Sequence, residues 1–213
     1  MEIHRLVFSP IDVNTYIIAD NSGDCAIIDC GCYDDAEFKR FTSFIEEKGL
    51  NPVLLLNTHC HLDHIFGNNY LLRKYNLRAL SHEQEEKNRK KGLQHAVIFG
   101  LTMEPVPEPE RFIADNEVIE FCSTELKVLH VPGHSAGGVT FYFEKEGWVF
   151  TGDTLFSGSI GRTDLEGGDY ETLINSIKNK LFTLPESAVV YAGHGGETTI
   201  GKEIRTNPWF NMT

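Results

Sequence analysis

Short runs of apolar and β-branched residues form the opening of the chain. They cover Ile3–Phe8, Asn14–Asp20 and Cys25–Cys30, and Ser9-Pro10 and Asn21-Ser22-Gly23 separate them. Runs of this length between turn-forming residues are typical of β-strands. The pattern therefore predicts three strands joined by turns at the start of the fold.

The period of the apolar positions changes after residue 33. Apolar residues recur at helical spacing within Asp34–Lys48, and Gly49 follows as a stop signal, so an amphipathic helix is predicted here. Pro52–Thr58 is an apolar run of the kind expected for a strand buried on both faces. Two helices enclosing a short strand are predicted next, at Gly67–Tyr75, Glu83–Lys91 and, between them, Arg78–Ser81.

The segment Gly92–Arg111 lacks a clear period and contains Pro105, Pro107 and Pro109. We expect a solvated loop there, and the alternative interpretation is a flap over a site.

The second half of the chain repeats the order of strands followed by helices. Two helices are predicted, at Tyr170–Phe182 with Asp169 as its N-cap, and at Thr198–Arg205. Two successive sets of this kind favour two sheets packed face to face with helices outside, within the α/β class. The strands of this half are predicted at Phe112–Ala114, Val118–Phe121, Leu126–Pro132, Val139–Glu144, Trp148–Thr151 and Ala188–Ala192.

Length, charge and cysteine content narrow the classes of protein. The 213 residues suit a single domain, which we expect to cover residues 1–213. The net charge of −12 disfavours nucleic acid and membrane surfaces as partners. The first residues lack the features of a secretory signal, and the five cysteines show no paired spacing; both observations favour a cytoplasmic protein. The sequence leaves the oligomeric state open.

A dense group of metal-ligating residues follows the predicted strand Pro52–Thr58. The sequence there reads Thr58-His59-Cys60-His61-Leu62-Asp63-His64. Alternate residues of an extended chain point to one side, so His59 and His61 can reach one ion together. Asp63 and His64 follow where the chain must turn. Imidazole nitrogen and carboxylate oxygen are the ligands of zinc or iron in proteins.

Three further candidate ligands also follow predicted strands. They are His134 in Pro132-Gly133-His134, Asp153 in Thr151-Gly152-Asp153-Thr154, and His194 in Gly193-His194-Gly195. Adjacent glycines allow backbone and side chains to approach a shared point closely. Loops at strand ends are where sites on α/β scaffolds usually form.

These motifs resemble the metallo-β-lactamase superfamily over essentially the whole chain. Within it, the chain is similar to glyoxalase II-like hydrolases in a short form without the separate C-terminal glutathione-binding domain. The resemblance rests on the histidine motif and the three strand-end motifs above, and on Gly161-Arg162-Thr163-Asp164, Gly167-Gly168-Asp169, Glu197-Thr198-Thr199-Ile200-Gly201 and Asn207-Pro208.

The resemblance implies a four-layer αββα sandwich that carries two divalent metal ions, with zinc favoured over iron or manganese. One ion would be held by His59, His61 and His134, and the other by Asp63, His64 and His194, with Asp153 between them. The expected reaction is hydrolysis of a small-molecule thioester, such as S-(2-hydroxyacyl)glutathione, by a hydroxide shared between the metals. Asp63 would orient that hydroxide.

The resemblance also places Arg162 near the polar end of the substrate, where a guanidinium suits a carboxylate. An ion pair with Asp164, either at the surface or behind the metal ligands, is the competing interpretation.

Other functions remain open on the same scaffold. The chain also resembles persulfide dioxygenases, and that resemblance implies one iron held by His59, His134 and Asp153. Two metals per chain would instead favour a hydrolase. A lactonase shares the ligand set. A bridging Asp153 favours a hydrolase over a true β-lactamase, and the acidic charge disfavours a nuclease. A non-catalytic metal-binding domain is disfavoured by the complete ligand set.

Overall fold

The structure is a computed structural model that describes residues 1–211. Its residues group into two compact units, the first formed by residues 1–81 and 85–112, the second by residues 82–84 and the chain from residue 113 onward. A single domain over residues 1–213 stays a prediction.

The first sheet has six strands in the order β1-β2-β3-β4-β5-β6. The pairs β1–β2 and β2–β3 are antiparallel, whereas β3–β4 and β4–β5 are parallel. The carboxyl ends of β3 and β4 therefore meet at one edge of the sheet. The strands are β1 (Glu2–Phe8), β2 (Val13–Ala19), β3 (Asp24–Ile28), β4 (Asn51–Leu56), β5 (Ala79–His82) and β6 (Arg111–Ile113).

Four α-helices connect these strands: α1 (Asp35–Glu47), α2 (Leu62–Ile65), α3 (Asn68–Tyr75) and α4 (Glu86–Ile98), the last preceded by a 3₁₀ turn, Glu83–Glu85. The α1 prediction is confirmed. Its N-cap Asp34 accepts a hydrogen bond from the amide of Glu37 at 2.9 Å, and Phe41 and Ile45 are buried. Caps of this kind satisfy amide groups that the first turn leaves unpaired.

The expectation of an irregular segment from Gly92 onward is wrong over residues 92–98, which belong to α4. The buried face of α4 consists of Asn88, Arg89, Gly92 and Ala96, without a large apolar residue. A Cβ atom at Gly92 would come within 3.2 Å of the Met103 sulfur. A small residue is therefore needed where the returning chain packs on the helix, and this removes the apolar signal from the sequence.

The second sheet also has six strands, in the order β14-β13-β10-β9-β8-β7. Among the described residues of this sheet, β10 and β13 are parallel neighbours and the other neighbouring pairs are antiparallel. The strands are β7 (Val118–Phe121), β8 (Thr124–His130), β9 (Val139–Phe143), β10 (Trp148–Gly152), β13 (Val189–Ala192) and β14 (Thr198–Thr199), and a separate hairpin is formed by β11 (Leu155–Phe156) and β12 (Ser159–Ile160).

Two helices complete this unit, α5 (Tyr170–Ser176), which continues through a π-helical turn to Leu181, and α6 (Ile200–Thr206). The predicted helix Thr198–Arg205 begins two residues late because Thr198 and Thr199 pair with β13. The N-cap role predicted for Asp169 is confirmed, since its side chain accepts a hydrogen bond from the Thr172 amide at 2.8 Å.

Each unit has its own apolar core. The first is built mainly from β2, β3, β4 and α1, and the second from β8–β10, β13 and α5. Four of the five cysteines are buried and Cys122 is exposed, and all five are free thiols. Among residues 1–211, no helix combines the length and the apolar character needed to cross a bilayer.

Candidate metal centre

The histidine motif lies at the carboxyl end of β4 in the first sheet. It begins beyond β4, so His59 and His61 lie in the loop after that strand, and Asp63 and His64 lie on α2. The His59 ring is 4.7 Å from the His61 ring and 4.0 Å from the His64 ring, measured between centroids. The Nε2 atom of His64 is 3.6 Å from the Oδ2 atom of Asp63. All four predicted ligands of this unit are thus gathered at one edge of the sheet.

A buried carboxylate, Asp29, fixes this group from the end of β3. Its Oδ1 accepts a hydrogen bond from the Thr58 amide at 2.8 Å, and its Oδ2 accepts one from the Thr58 hydroxyl at 2.5 Å. The same Oδ2 is 2.9 Å from Nδ1 of His64. A carboxylate in this position holds the proton on Nδ1 and leaves Nε2 as the ligand atom.

Asp29 is absent from the predicted site residues because it lies within the apolar run Cys25–Cys30, which predicts only a strand. Asp29 follows four buried strand residues and has a left-handed φ of 54°. An aspartate at the carboxyl end of an apolar run was the available signal. Asp29, His59 and His64 bring donor atoms within 4.8 Å of one another, but both Asp29 oxygens are already engaged, so we assign Asp29 a positioning role.

A second buried carboxylate, Glu85, supports the backbone between His59 and His61. It accepts hydrogen bonds from the Cys60 amide at 2.7 Å and from the Asn88 side chain at 3.0 Å. The Cys60 side chain is buried, as predicted, and burial raises the pKa of its thiol well above the usual range. Cys60 is therefore a core residue.

The second unit places its three predicted ligands beyond three strands that run in the same direction. His134 follows β8, Asp153 follows β10 and His194 follows β13. Because β10 and β13 are parallel, Asp153 and His194 emerge side by side, and the Gly193 amide bonds to the Gly152 carbonyl at 2.8 Å. The Oδ2 atom of Asp153 is 3.7 Å from Nε2 of His134 and 3.6 Å from Nε2 of His194.

The ring of His134 is held from behind by backbone. Its Nδ1 lies 2.8 Å from the carbonyl oxygen of Arg162. A carbonyl only accepts, so Nδ1 carries the proton and Nε2 presents its lone pair toward Asp153. Gly161 makes this possible, since a Cβ atom there would lie 1.8 Å from the Asp153 carbonyl oxygen and 3.1 Å from His134 Nδ1.

These separations suit ligands that share a metal ion. Bonds of about 2.0–2.2 Å in tetrahedral geometry place neighbouring ligand atoms about 3.3–3.6 Å apart. The three imidazole–carboxylate pairs, at 3.6–3.7 Å, are close to this value and too long for hydrogen bonds. The donor set of imidazole nitrogens and carboxylate oxygens therefore fits a divalent metal.

Comparison with known proteins supports the same assignment. Residues 9–194 match the family model of the metallo-beta-lactamase superfamily. The chain belongs to the metallo-β-lactamase superfamily.

Two solved structures show the superfamily fold over almost the whole chain. A structure described as BLEG-1 B3 metallo-beta-lactamase is 31% identical, with a TM-score of 0.91 and coverage of 99% of this chain and 100% of that one. A di-iron-bound form of TTHA1623 is 34% identical, with a TM-score of 0.87 and coverage of 97% and 99%. The predicted fold class is confirmed.

A relative in Haemophilus influenzae is named hydroxyacylglutathione hydrolase GloC. It is 38% identical over 213 residues, which cover 99% of each chain. The predicted likeness to glyoxalase II-like members of the superfamily is thereby confirmed. The chain belongs to a group of metal-dependent hydrolases.

Arg162 of this superfamily member pairs with a neighbouring carboxylate. Its Nε and Nη2 atoms donate to the two Asp164 oxygens, each at 2.7 Å, and both side chains are more than half exposed. The guanidinium lowers the pKa of Asp164 to about 2. The ion pair anticipated as the competing interpretation is therefore present, and a substrate-binding role for Arg162 stays a prediction.

Proposed function

We propose that this protein hydrolyses thioesters of the S-(2-hydroxyacyl)glutathione type with two divalent metal ions. The observation that carries the proposal is the position of Asp153, whose one oxygen lies at metal-sharing distance from both His134 and His194. A single carboxylate with a histidine on each side is what a bridging ligand requires. The name of the Haemophilus relative supports the substrate class.

The proposed ligand set follows the superfamily resemblance. His59, His61 and His134 would hold one ion, Asp63, His64 and His194 the other, and Asp153 would contact both. Divalent ions at such a site lower the pKa of a shared water and polarise the thioester carbonyl. We assign zinc to the site, with iron and manganese as the competing metals.

The residues of the chain have separate tasks in this scheme. The Asp63 carboxylate would accept a hydrogen bond from the attacking water and orient it toward the carbonyl carbon. Asp29 keeps His64 in one tautomer, and the Arg162 carbonyl does the same for His134. The water oxygen would form a bond to the carbonyl carbon, the carbon–sulfur bond would then break, and the sulfur would leave as thiolate while the water protons pass to solvent, so no protein nucleophile is required.

The deciding assay measures hydrolysis of S-lactoylglutathione by metal-reconstituted protein under anaerobic conditions. We expect turnover in the wild type and its loss in Asp153→Ala, together with two metals per chain. A β-lactam and a lactone are tested alongside, because the fold matches a structure described as a B3 metallo-beta-lactamase.

Two results would contradict the proposal. A single iron per chain with oxygen-dependent persulfide consumption would assign a dioxygenase. Metal-loaded protein that ignores the thioester but opens the lactone or the β-lactam would leave a hydrolase of another substrate class.

A further inference from the structure

A cavity of about 280 Å³ lies in the first unit and takes no part in the proposed metal centre. It opens between α1, α3 and the chain that follows α4, and four aromatic side chains form much of its wall: Tyr33, Phe38, Phe66 and Tyr70. Small-molecule sites usually span about 300–1,000 Å³. The cavity is therefore of a size for one ring-sized group and too small for a whole peptide-like ligand.

The aromatic side chains are arranged as two pairs. The Phe38 and Tyr70 rings are stacked at 4.4 Å, and the Tyr33 and Phe66 rings meet edge to face at 4.9 Å. Aromatic rings favour these two geometries because of their quadrupoles. A planar ring entering the cavity would find both a ring face and a ring edge to pack on.

The mouth of the cavity carries a cation with spare donors. Arg73 contacts Glu104 through Nη1 alone, at 2.5 Å, and the two side chains are 57% and 62% exposed. Within residues 1–211, its Nε and Nη2 atoms make no hydrogen bond. A guanidinium with unused donors in its plane suits a planar anion, which it can bind through two nitrogens.

Polar contacts hold the rim in place over the aromatic rings. The Thr102 amide donates to the Tyr33 hydroxyl at 3.1 Å, and the Asn69 side chain donates to the Pro105 carbonyl at 2.8 Å. The cavity is therefore formed before any ligand arrives, and little ordering is needed for binding.

The cavity also lies at the edge of the sheet that carries the histidine motif. Tyr33 follows β3 and Phe66 follows α2, directly beyond the ligand residues. Met103, another wall residue, packs against the cluster that contains Cys60 and Ile65. Ligands of α/β sheets bind outside the carboxyl ends of the strands.

We propose that this cavity binds a planar aromatic ring that bears an anionic group, with the ring between the two aromatic pairs and the anion on the Nε and Nη2 atoms of Arg73, beside Glu104. The further statement that this ring is one part of the substrate rests on the proposed function. Glutathione contains no aromatic ring, so the inference points to a glutathione thioester whose 2-hydroxyacyl group carries the aromatic ring.

Methionine labelling tests the binding without any catalytic readout. The chain has three methionines, and in residues 1–211 only Met103 lines the cavity. With ¹³C-methyl-methionine in the metal-loaded protein, benzoate is expected to shift the Met103 signal saturably and to leave Met1 unchanged. Acetate, which has the anion without the ring, should not shift it.

The Arg73–Glu104 pair at the mouth of the cavity allows two variants with opposite expected effects on benzoate affinity. Arg73→Gln should weaken benzoate binding about threefold to fivefold, the range expected for a partly exposed ion pair. Glu104→Gln should tighten it, because the competing carboxylate is removed. Benzamide, which has the ring without the charge, should respond to neither change. A Met103 signal that does not move, or a benzoate affinity equal in wild type and both variants, would overturn the proposed site.

Competition separates this inference from the proposed function. S-mandeloylglutathione carries a phenyl ring on its 2-hydroxyacyl group, and benzoate should inhibit its hydrolysis competitively, with an inhibition constant that rises in Arg73→Gln. Noncompetitive behaviour would overturn the substrate role. If the thioester is not hydrolysed at all, the proposed function fails, whereas the Met103 titration still decides whether the cavity binds the ring.

Discussion

The carboxylate of Asp29 makes three contacts that fix the position of two segments at once. It holds Thr58 at the start of the histidine motif and His64 on α2. We predict that Asp29→Asn weakens metal binding about 10–100-fold, as expected when a carboxylate behind a ligand histidine is removed. Asparagine tolerates the left-handed φ of this position, so the backbone is not strained.

Metal affinity measured by chelator competition checks this prediction, with Asp34→Asn as the control. Asp34 caps α1 and lies outside the metal centre. Equal metal affinity in Asp29→Asn and wild type would show that His64 does not need this partner.

Arg162 gives a prediction about the substrate rather than the metal. We expect Arg162→Ala to raise KM for an anionic thioester more than it lowers kcat, because a clamp on the distal carboxylate binds ground state and transition state alike. Asp164→Asn is the matched control. It removes the competing carboxylate and should lower KM. Unchanged kinetics in both variants would show that Arg162 and Asp164 form a surface ion pair without a role in substrate binding.

The β11–β12 hairpin and the turn after it form the element that supports the second-unit ligands. Gly161 passes so close to the Asp153 carbonyl that no side chain fits. We predict that Gly161→Ala displaces Asp153 or His134 and causes loss of metal, as well as destabilising the fold. Gly196→Ala is the control, since a Cβ there meets open space. Metal content measured after gel filtration checks this prediction. A Gly161→Ala protein that keeps all of its metal would contradict the supporting role of Gly161.

The first turn of α4 gives a prediction about acid stability. A hydrogen bond from Arg89 lowers the pKa of Glu86 below its ordinary value. Because the pKa is lower in the folded state, this stabilisation is complete above about pH 4.3 and is lost as pH falls through the lowered value. Urea unfolding of Glu86→Gln should therefore show a shallower loss of stability below about pH 4.3 than wild type. The exposed Glu83→Gln should behave as wild type, and identical slopes for all three proteins would refute the prediction.

The elements that the sequence predicts well are those with a strong apolar period. The α1 helix and most strands of both sheets carry that signal. The end of α4 does not, because its buried face uses Gly92 and Ala96. The β11–β12 hairpin is only two residues long on each side, so no period can form. The sequence motifs predict the histidines and aspartates that share a recurring pattern. Asp29 and Glu85 lie outside those motifs, in distant parts of the chain, and contact the site residues only in the folded structure.

Stability of the whole molecule should depend on metal, because the proposed ligands come together only in the folded chain. A metal that binds only the folded chain stabilises it by about 4 kcal/mol at a thousand times its Kd. For a chain of this size, each kcal/mol corresponds to about 2–4 °C in Tm. We therefore predict that chelation lowers Tm by about 8–16 °C. Asp153→Ala should melt near the chelated value and no longer respond to chelator, whereas Arg162→Ala should respond like wild type. A Tm that stays constant while elemental analysis shows the metal to be gone would mean that the ligands are held by the protein fold alone, and that binding and folding are not linked.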